Sequence, residues 1–419
     1  MITLPLDTLR QRWANAWASA QPLLTRSLLW RRPAVCLWLA LLLGVTVRVL
    51  VSEPHRGTVY PVYALAAQRW LAGESAYVTR ADHNQPIYRY APVVTPWFVP
   101  LSSLPEPLGS LLWRAVNLAV LAVGLSCWLR LVLPLTLSRR RQGLLLALIA
   151  PLALGSVNNA QANVLVLGLL LIGTAAIARR GWWVAVLCLS LACWLKVYPV
   201  VLLALLVVLY PRQLAWRAAI VLPLLALTPF AFQSSTFVLE QYRDWLIQMR
   251  LDDRATIAVE QAPRNWLLLW RVWWAGRGGI GESTLAAYTA LQVVSGLAVA
   301  AWCAWGRYRA AWSTRRTLFT TFNLAVLWML IVGPASESCT YILLAPTAAA
   351  LFLDAWSERD RFGQILTTTA LVLLLGMVVA LAFPLGTRLD VLGVHALAGT
   401  LLAVVAASWP VRRPAEYSA

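Results

Sequence analysis

The sequence predicts an all-α integral membrane protein, a polytopic bundle of about twelve transmembrane helices with two long loops on the outer side. Three observations lead there. The 419 residues are 60% hydrophobic and 12% charged, with a mean hydropathy of +0.68, which is membrane composition. Apolar runs long enough to approach a bilayer's thickness recur along the chain. The basic residues fall in short knots between those runs: Arg31-Arg32, Arg139-Arg140-Arg141, Arg179-Arg180, Arg315-Arg316 and Arg412-Arg413. That is the positive-inside pattern, so the net charge of +18 reports orientation and attraction to anionic membrane lipids, not nucleic acid.

Taken in order, residues 1–32 form a cytoplasmic amphipathic segment. Leu9, Trp13 and Trp17 recur every four residues, as in a helix lying on the membrane surface, although a frayed leader fits as well. No cleavable signal is expected, because the apolar run starts only after about thirty residues and no small-residue cleavage site follows. A single transmembrane unit then spans 33–409. Crossing one is about 33–51, crossing two about 110–134, crossings three and four about 143–157 and 162–178. Crossings five to seven are about 182–195, 198–210 and 215–233, and crossing eight about 286–305. Crossings nine to twelve are about 317–334, 338–354, 364–384 and 390–409, ahead of a cytoplasmic tail at 410–419.

Loops of about 52–109 and 234–285 then lie outside, both termini lie inside, and every basic knot falls on one side. The prolines of "YAPVVTPWFVPLSSLPEPL", 90–108, argue against a straight span and for a re-entrant or interfacial segment. Crossings three, five and six hold only about 13–15 apolar residues against about 20 for a full span, so protein must shield them or they must open onto a cavity.

The polar stretches collect on the outer side. Asn158, Asn159, Gln161 and Asn163 lie between two apolar runs. An amide in lipid without partners costs several kcal/mol. Such amides either glue helices together or present hydrogen bonds to hydroxyls. Lys196 in "WLKVYP" either snorkels to the surface or offers a cation to a phosphate, with Tyr198 beside it. Arg89, between Tyr88 and Tyr90, suits a phosphate or a sugar, or else an interfacial aromatic belt. Glu337 and Glu53 are outer-side acids, each a base or a hydrated carboxylate. The six cysteines sit in or beside apolar runs without metal spacing, and the three histidines form no zinc motif. Nothing here points to a cofactor, and a metal requirement is left open.

The ordered set "Y..A...WLAGESAY", "YRYAP", "NNAQAN", "LKVYP" and "GPASES..Y" resembles glycosyltransferase family 87, the polyprenol-phosphate-mannose-dependent mannosyltransferase-like enzymes of the GT-C superfamily. The resemblance runs over about 33–356, and "PRNWLLLWR", 263–271, resembles the family's Asn-containing second-loop segment. It implies a GT-C-like bundle in a bacterial inner membrane, a polyprenyl-phosphate sugar donor reached from outside, and inverting transfer of a hexose, mannose first, to a lipid or glycan acceptor. It also implies substrate contacts at Tyr60, Tyr63, Arg89, Tyr90, Asn158, Asn159, Gln161, Asn163, Lys196, Tyr198 and Asn265. The family usually places an aspartate just ahead of the tyrosine matching Tyr60 or Tyr63. Here "RGTVYPVY" carries no acid, and the histidine often found near Cys339-Thr340 is absent. The base role passes to Glu53 first and Glu337 second, unless the chain is a non-catalytic binder of lipid-linked sugar. A polyprenyl-lipid transporter is the other alternative; against it, no inner motif set and no repeated halves occur.

Overall fold

The computed structural model describes residues 32–51, 58–77, 87–251, 257–275, 280–333 and 336–412. All regular structure among them is helical. In chain order the elements are α1 (Arg32–Val51), α2 (Tyr60–Leu71), α3 (Glu106–Leu131), α4 (Arg139–Asn158), α5 (Asn163–Ala178), α6 (Trp182–Leu195), α7 (Val200–Leu209) and α8 (Pro211–Leu227). There follow α9 (Ser235–Leu251), α10 (Trp266–Trp273), α11 (Glu282–Tyr308), α12 (Thr314–Ile331), α13 (Ala345–Ser357), α14 (Arg361–Ala380), α15 (Pro384–Val391) and α16 (Val394–Arg412).

Each of the twelve expected crossings corresponds to one helix. Among the described residues, eight segments are long and apolar enough to span a membrane by themselves, one of them α13 with the 3₁₀ turns Ser338–Leu344 that precede it. Helices α5, α6 and α7 are apolar but shorter, and α12 carries Arg315 and Arg316 at its start. Crossing three is longer than its apolar run, because α4 extends from Arg139 to Asn158. The Pro-rich 90–108 stretch forms only the turns Thr95–Phe98 and Val99–Ser102 before α3 begins, too short to span. The N-terminal segment before Arg32 and Glu53 lie outside the described residues.

At about 1.5 Å per residue, the ten residues of α7 reach about 15 Å, half of a bilayer core. A short helix facing lipid on all sides would expose its ends to hydrocarbon. Of the short helices, α6 and α7 each keep an exposed face, at Val184 and Leu187 and at Val200 and Val208, whereas α5 is buried from Asn163 to Leu171. It crosses α3 at two glycines: a Cβ on Gly124 would lie 2.6 Å from the Gly168 carbonyl oxygen, and one on Gly168 would lie 2.8 Å from the backbone of Val120 and Leu121. Small residues allow this backbone approach, which drives helix association where water cannot. By contrast α11 leaves Leu291, Val293, Val294 and Leu297 exposed, as a helix facing lipid does.

Alternating up and down, the hairpin turns fall at two ends. One end gathers the basic turns, where the Tyr308 hydroxyl donates to the Leu209 carbonyl at 2.8 Å and Arg315 donates to the Arg130 carbonyl at 3.2 Å. The other gathers the turns after α4, α6 and α14 together with the described parts of the two long loops and of the turn after α12. Cross-links such as Val59 N–H to the Asn159 carbonyl, 3.0 Å, and Arg264 N–H to the Ser336 carbonyl, 2.7 Å, hold this polar end together.

Candidate active site

The amide cluster is built by a helix cap. At the end of α4 the Gln161 N–H donates to the Ser156 carbonyl (3.0 Å) and the Ala160 N–H to the Val157 carbonyl (3.2 Å). This is the Schellman pattern, which needs a left-handed residue after the cap. Ala160 takes that place with φ 55°, where glycine is usual. The turn sends the four amides in different directions. Asn158 accepts from Arg48, and its carbonyl takes an Arg114 Nη–H at 2.7 Å. Asn159 faces the first loop, its carbonyl accepting from Val59.

Gln161 and Asn163 point inward together. Asn163 Nδ2 donates to Gln161 Oε1 at 2.5 Å, and Gln161 Nε2 donates to Glu337 Oε2 at 2.9 Å. The Tyr198 hydroxyl donates to Asn163 Oδ1 at 3.2 Å. The Cys339 thiol donates to Gln161 Oε1 at 3.0 Å, and Ser156 Oγ to the Cys339 carbonyl at 2.5 Å. One chain of polar contacts therefore runs from Tyr198 to Glu337 across three hairpins. Lys196 ends α6 in extended backbone, its Nζ 5.8 Å from the centroid of the Tyr198 ring. Pro199 follows, so the helix stops and leaves the ammonium at this depth.

Beside this chain lies a cavity of about 280 Å³. Arg89 of the first loop, Glu260, Gln261 and Arg264 of the second, and Glu337 and Ser338 line it. Both signs of charge thus face one space with a carboxylate that already belongs to the amide chain. An aromatic floor supports it. The Tyr63 and Tyr90 hydroxyls meet at 2.7 Å, the Tyr77 hydroxyl donates to the Tyr90 carbonyl at 2.7 Å, and Tyr63 packs on Phe98 with centroids 4.6 Å apart. Burial, then the neighbouring Tyr90 and Glu337, push the Tyr63 phenol well above its ordinary value. It stays a neutral hydrogen-bonding group. Tyr60 is committed to packing, its hydroxyl donating to the Leu101 carbonyl at 2.9 Å.

Asn265 caps α10, accepting from the Leu268 N–H at 3.3 Å, while its Nδ2 donates to the Gly333 carbonyl at 2.8 Å. It ties the second loop to the end of α12.

Two buried groups escaped the sequence reading. Arg114 is 5% exposed and spends its guanidinium on the carbonyls of Ser110, Val157 and Asn158, fixing the α4 cap onto α3. Asp390, from α15, accepts from Arg264 Nε at 2.8 Å and Ser338 Oγ at 2.7 Å, with His395 Nδ1 at 3.1 Å. It locks two cavity-lining residues to each other. Burial pushes its carboxyl up, but the hydrogen bond and charge of His395, the charge of Arg264 and the Ser338 hydrogen bond outweigh that and hold it at about 2. A visible signal for this cluster was the Asp390–His395 spacing beside a membrane turn.

Fold and site define a polytopic membrane protein with one chemically equipped end. The chain belongs to glycosyltransferase family 87, whose family model matches residues 88–334. It is thus a membrane glycosyltransferase. No curated protein matches the chain.

Proposed function

We propose that the chain transfers a hexose, mannose first, from a polyprenyl-phosphate donor to a hydroxyl of a lipid or glycan acceptor, with inversion. The polar end faces the extracytoplasmic side of a bacterial inner membrane, and both termini are cytoplasmic. The observation that carries this reading is Glu337, which lines the 280 Å³ cavity while accepting from Gln161 at 2.9 Å.

In this reading the Glu337 carboxylate takes the acceptor hydroxyl's proton. The acceptor oxygen bonds to the anomeric carbon as the bond from that carbon to the phosphate oxygen breaks. The polyprenyl phosphate leaves with the electron pair, so no protein nucleophile is needed. Lys196 and Arg89 meet the phosphate charge, and Gln161, Asn163, Tyr198, Tyr63 and Tyr90 offer hydrogen bonds to sugar hydroxyls. Tyr60, Asn158, Asn159 and Asn265 support this lining from behind. Glu53 is the alternative base, carried by the resemblance of its loop to the family's acid-bearing one.

The test is sugar transfer by the purified protein in proteoliposomes, across a panel of polyprenyl-phosphate sugars and acceptors. Turnover with a mannosyl donor supports the proposal. Donor binding without turnover across the panel supports the non-catalytic reading, which the acid-free "RGTVYPVY" favours. Donor movement between leaflets without turnover supports the transporter.

A further inference from the structure

The basic end carries a feature that sugar transfer does not use. Arg217 on α8 lies between two indoles, its guanidinium carbon 4.3 Å from the Trp216 centroid and 5.2 Å from that of Trp183. At the same corner Arg307, ending α11, sits 3.8 Å from the Tyr210 centroid. Trp183 packs edge-on against Trp216, and Trp182 lies tilted against Tyr210, so the start of α6 joins the α7–α8 elbow. The Nε atoms of Arg217 and Arg307 are both buried and meet no hydrogen-bond acceptor. Buried donors are rarely left so.

The chain itself supplies no nearby acid in sequence. No Asp or Glu occurs between Glu106 and Glu240, nor between Glu282 and Glu337, and these two stretches supply α6, α7, α8 and nearly all of α11. Among the described residues no Asp or Glu meets either guanidinium, so the anion they can take is one from another molecule. The surface says which kind. Beyond Arg217, Ile220, Leu224 and Leu227 are 42%, 57% and 57% exposed at helical spacing, beside Val184 and Leu187 of α6 at 51% and 44%. Cations at one end of an exposed apolar stripe match a phosphate attached to acyl chains, where a soluble anion would need no stripe.

We propose that the α6–α8–α11 corner is a binding site for an anionic glycerophospholipid. Arg217 and Arg307 hold its headgroup phosphate, and the acyl chains run along Ile220, Leu224 and Leu187. Aromatic stacking orients the planar guanidiniums edge-on toward the phosphate, which an ammonium could not reproduce.

The experiment is native mass spectrometry of the detergent-purified full chain, titrated with phosphatidylglycerol, phosphatidylcholine or inorganic phosphate. Wild type is expected to retain phosphatidylglycerol well above phosphatidylcholine. Replacing Arg217→Gln and Arg307→Gln together should weaken that retention roughly tenfold or more, as loss of charge-assisted hydrogen bonds does. Arg139→Gln with Arg140→Gln removes the same charge elsewhere at the basic end and should leave retention unchanged. Arg217→Lys keeps the charge and the fold but should also weaken it. Equal weakening in both glutamine pairs would reduce the site to diffuse attraction and overturn the proposal. So would equal retention of both lipids by wild type, or full competition by inorganic phosphate.

Discussion

Replacing Asp390 by asparagine probes the clamp that shapes the cavity wall. The side chain is 8% exposed and joins Arg264, Ser338 and His395 from three elements. Asparagine keeps the size and one acceptor but removes the charge. Breaking a buried pair by neutralising one partner costs about 3–5 kcal/mol. Arg264 still reaches the carbonyls of Val259, Ala262 and Glu260, at 3.2, 2.6 and 2.8 Å, so the lower end, about 3 kcal/mol, is expected. The pH dependence follows from the carboxyl's displacement from 3.8 to about 2. A depressed folded value means the stabilisation is complete above the unfolded value and lost as pH falls through about 4 to about 2. Thermal unfolding in detergent, compared between wild type and Asp390→Asn, reads this directly. The midpoints should differ most near neutrality and converge toward pH 2. Equal midpoints at neutral pH, or a gap that persists at pH 2, would refute the clamp.

Lys196→Ala should weaken binding of a polyprenyl phosphate about ten- to a hundredfold, and Lys196→Arg much less, because charge matters before geometry; equal binding by wild type and the alanine variant returns Lys196 to a snorkelling role. Gly168→Val should destabilise the α3–α5 crossing by about 1–3 kcal/mol or more, since its Cβ meets backbone at 2.8 Å, and an unchanged unfolding midpoint would contradict that packing. Cysteines placed at Ser75 and Ser235 in a cysteine-free background should react with an impermeant thiol reagent from outside intact cells. Labelling only after the membrane is opened would reverse the orientation.

The bundle was legible because lipid imposes simple rules on a chain: apolar length and basic turns suffice to place twelve helices. The polar end was legible as a set, since amides among leucines demand partners. Their directions were not. Asn158 turns to Arg48 while Gln161 turns to Glu337, and the cap that separates them rests on Ala160, where only a glycine would have announced a left-handed residue. The Asp390 cluster was missed for a similar reason. Arg264 and Asp390 are 126 positions apart, and the pairing depends on how the second loop lies over the bundle. Arg114 carries no mark in the sequence, because its partners are carbonyls exposed by a neighbouring helix end.

The central claim is that the cavity beside Glu337 is where a sugar leaves a lipid phosphate. Its most direct measurement compares Glu337→Gln and Glu53→Gln with wild type, reading sugar transfer from polyprenyl-phosphate mannose and donor binding on the same preparations. Glutamine at 337 can still accept from Gln161 but cannot take a proton. Glu337→Gln is therefore expected to lose about 10²–10⁴-fold in turnover, the usual contribution of a general base, with donor binding retained. Glu53→Gln should keep most of its turnover. Normal transfer by Glu337→Gln beside an active wild type would contradict the account, and a collapse confined to Glu53→Gln would move the base to the first loop.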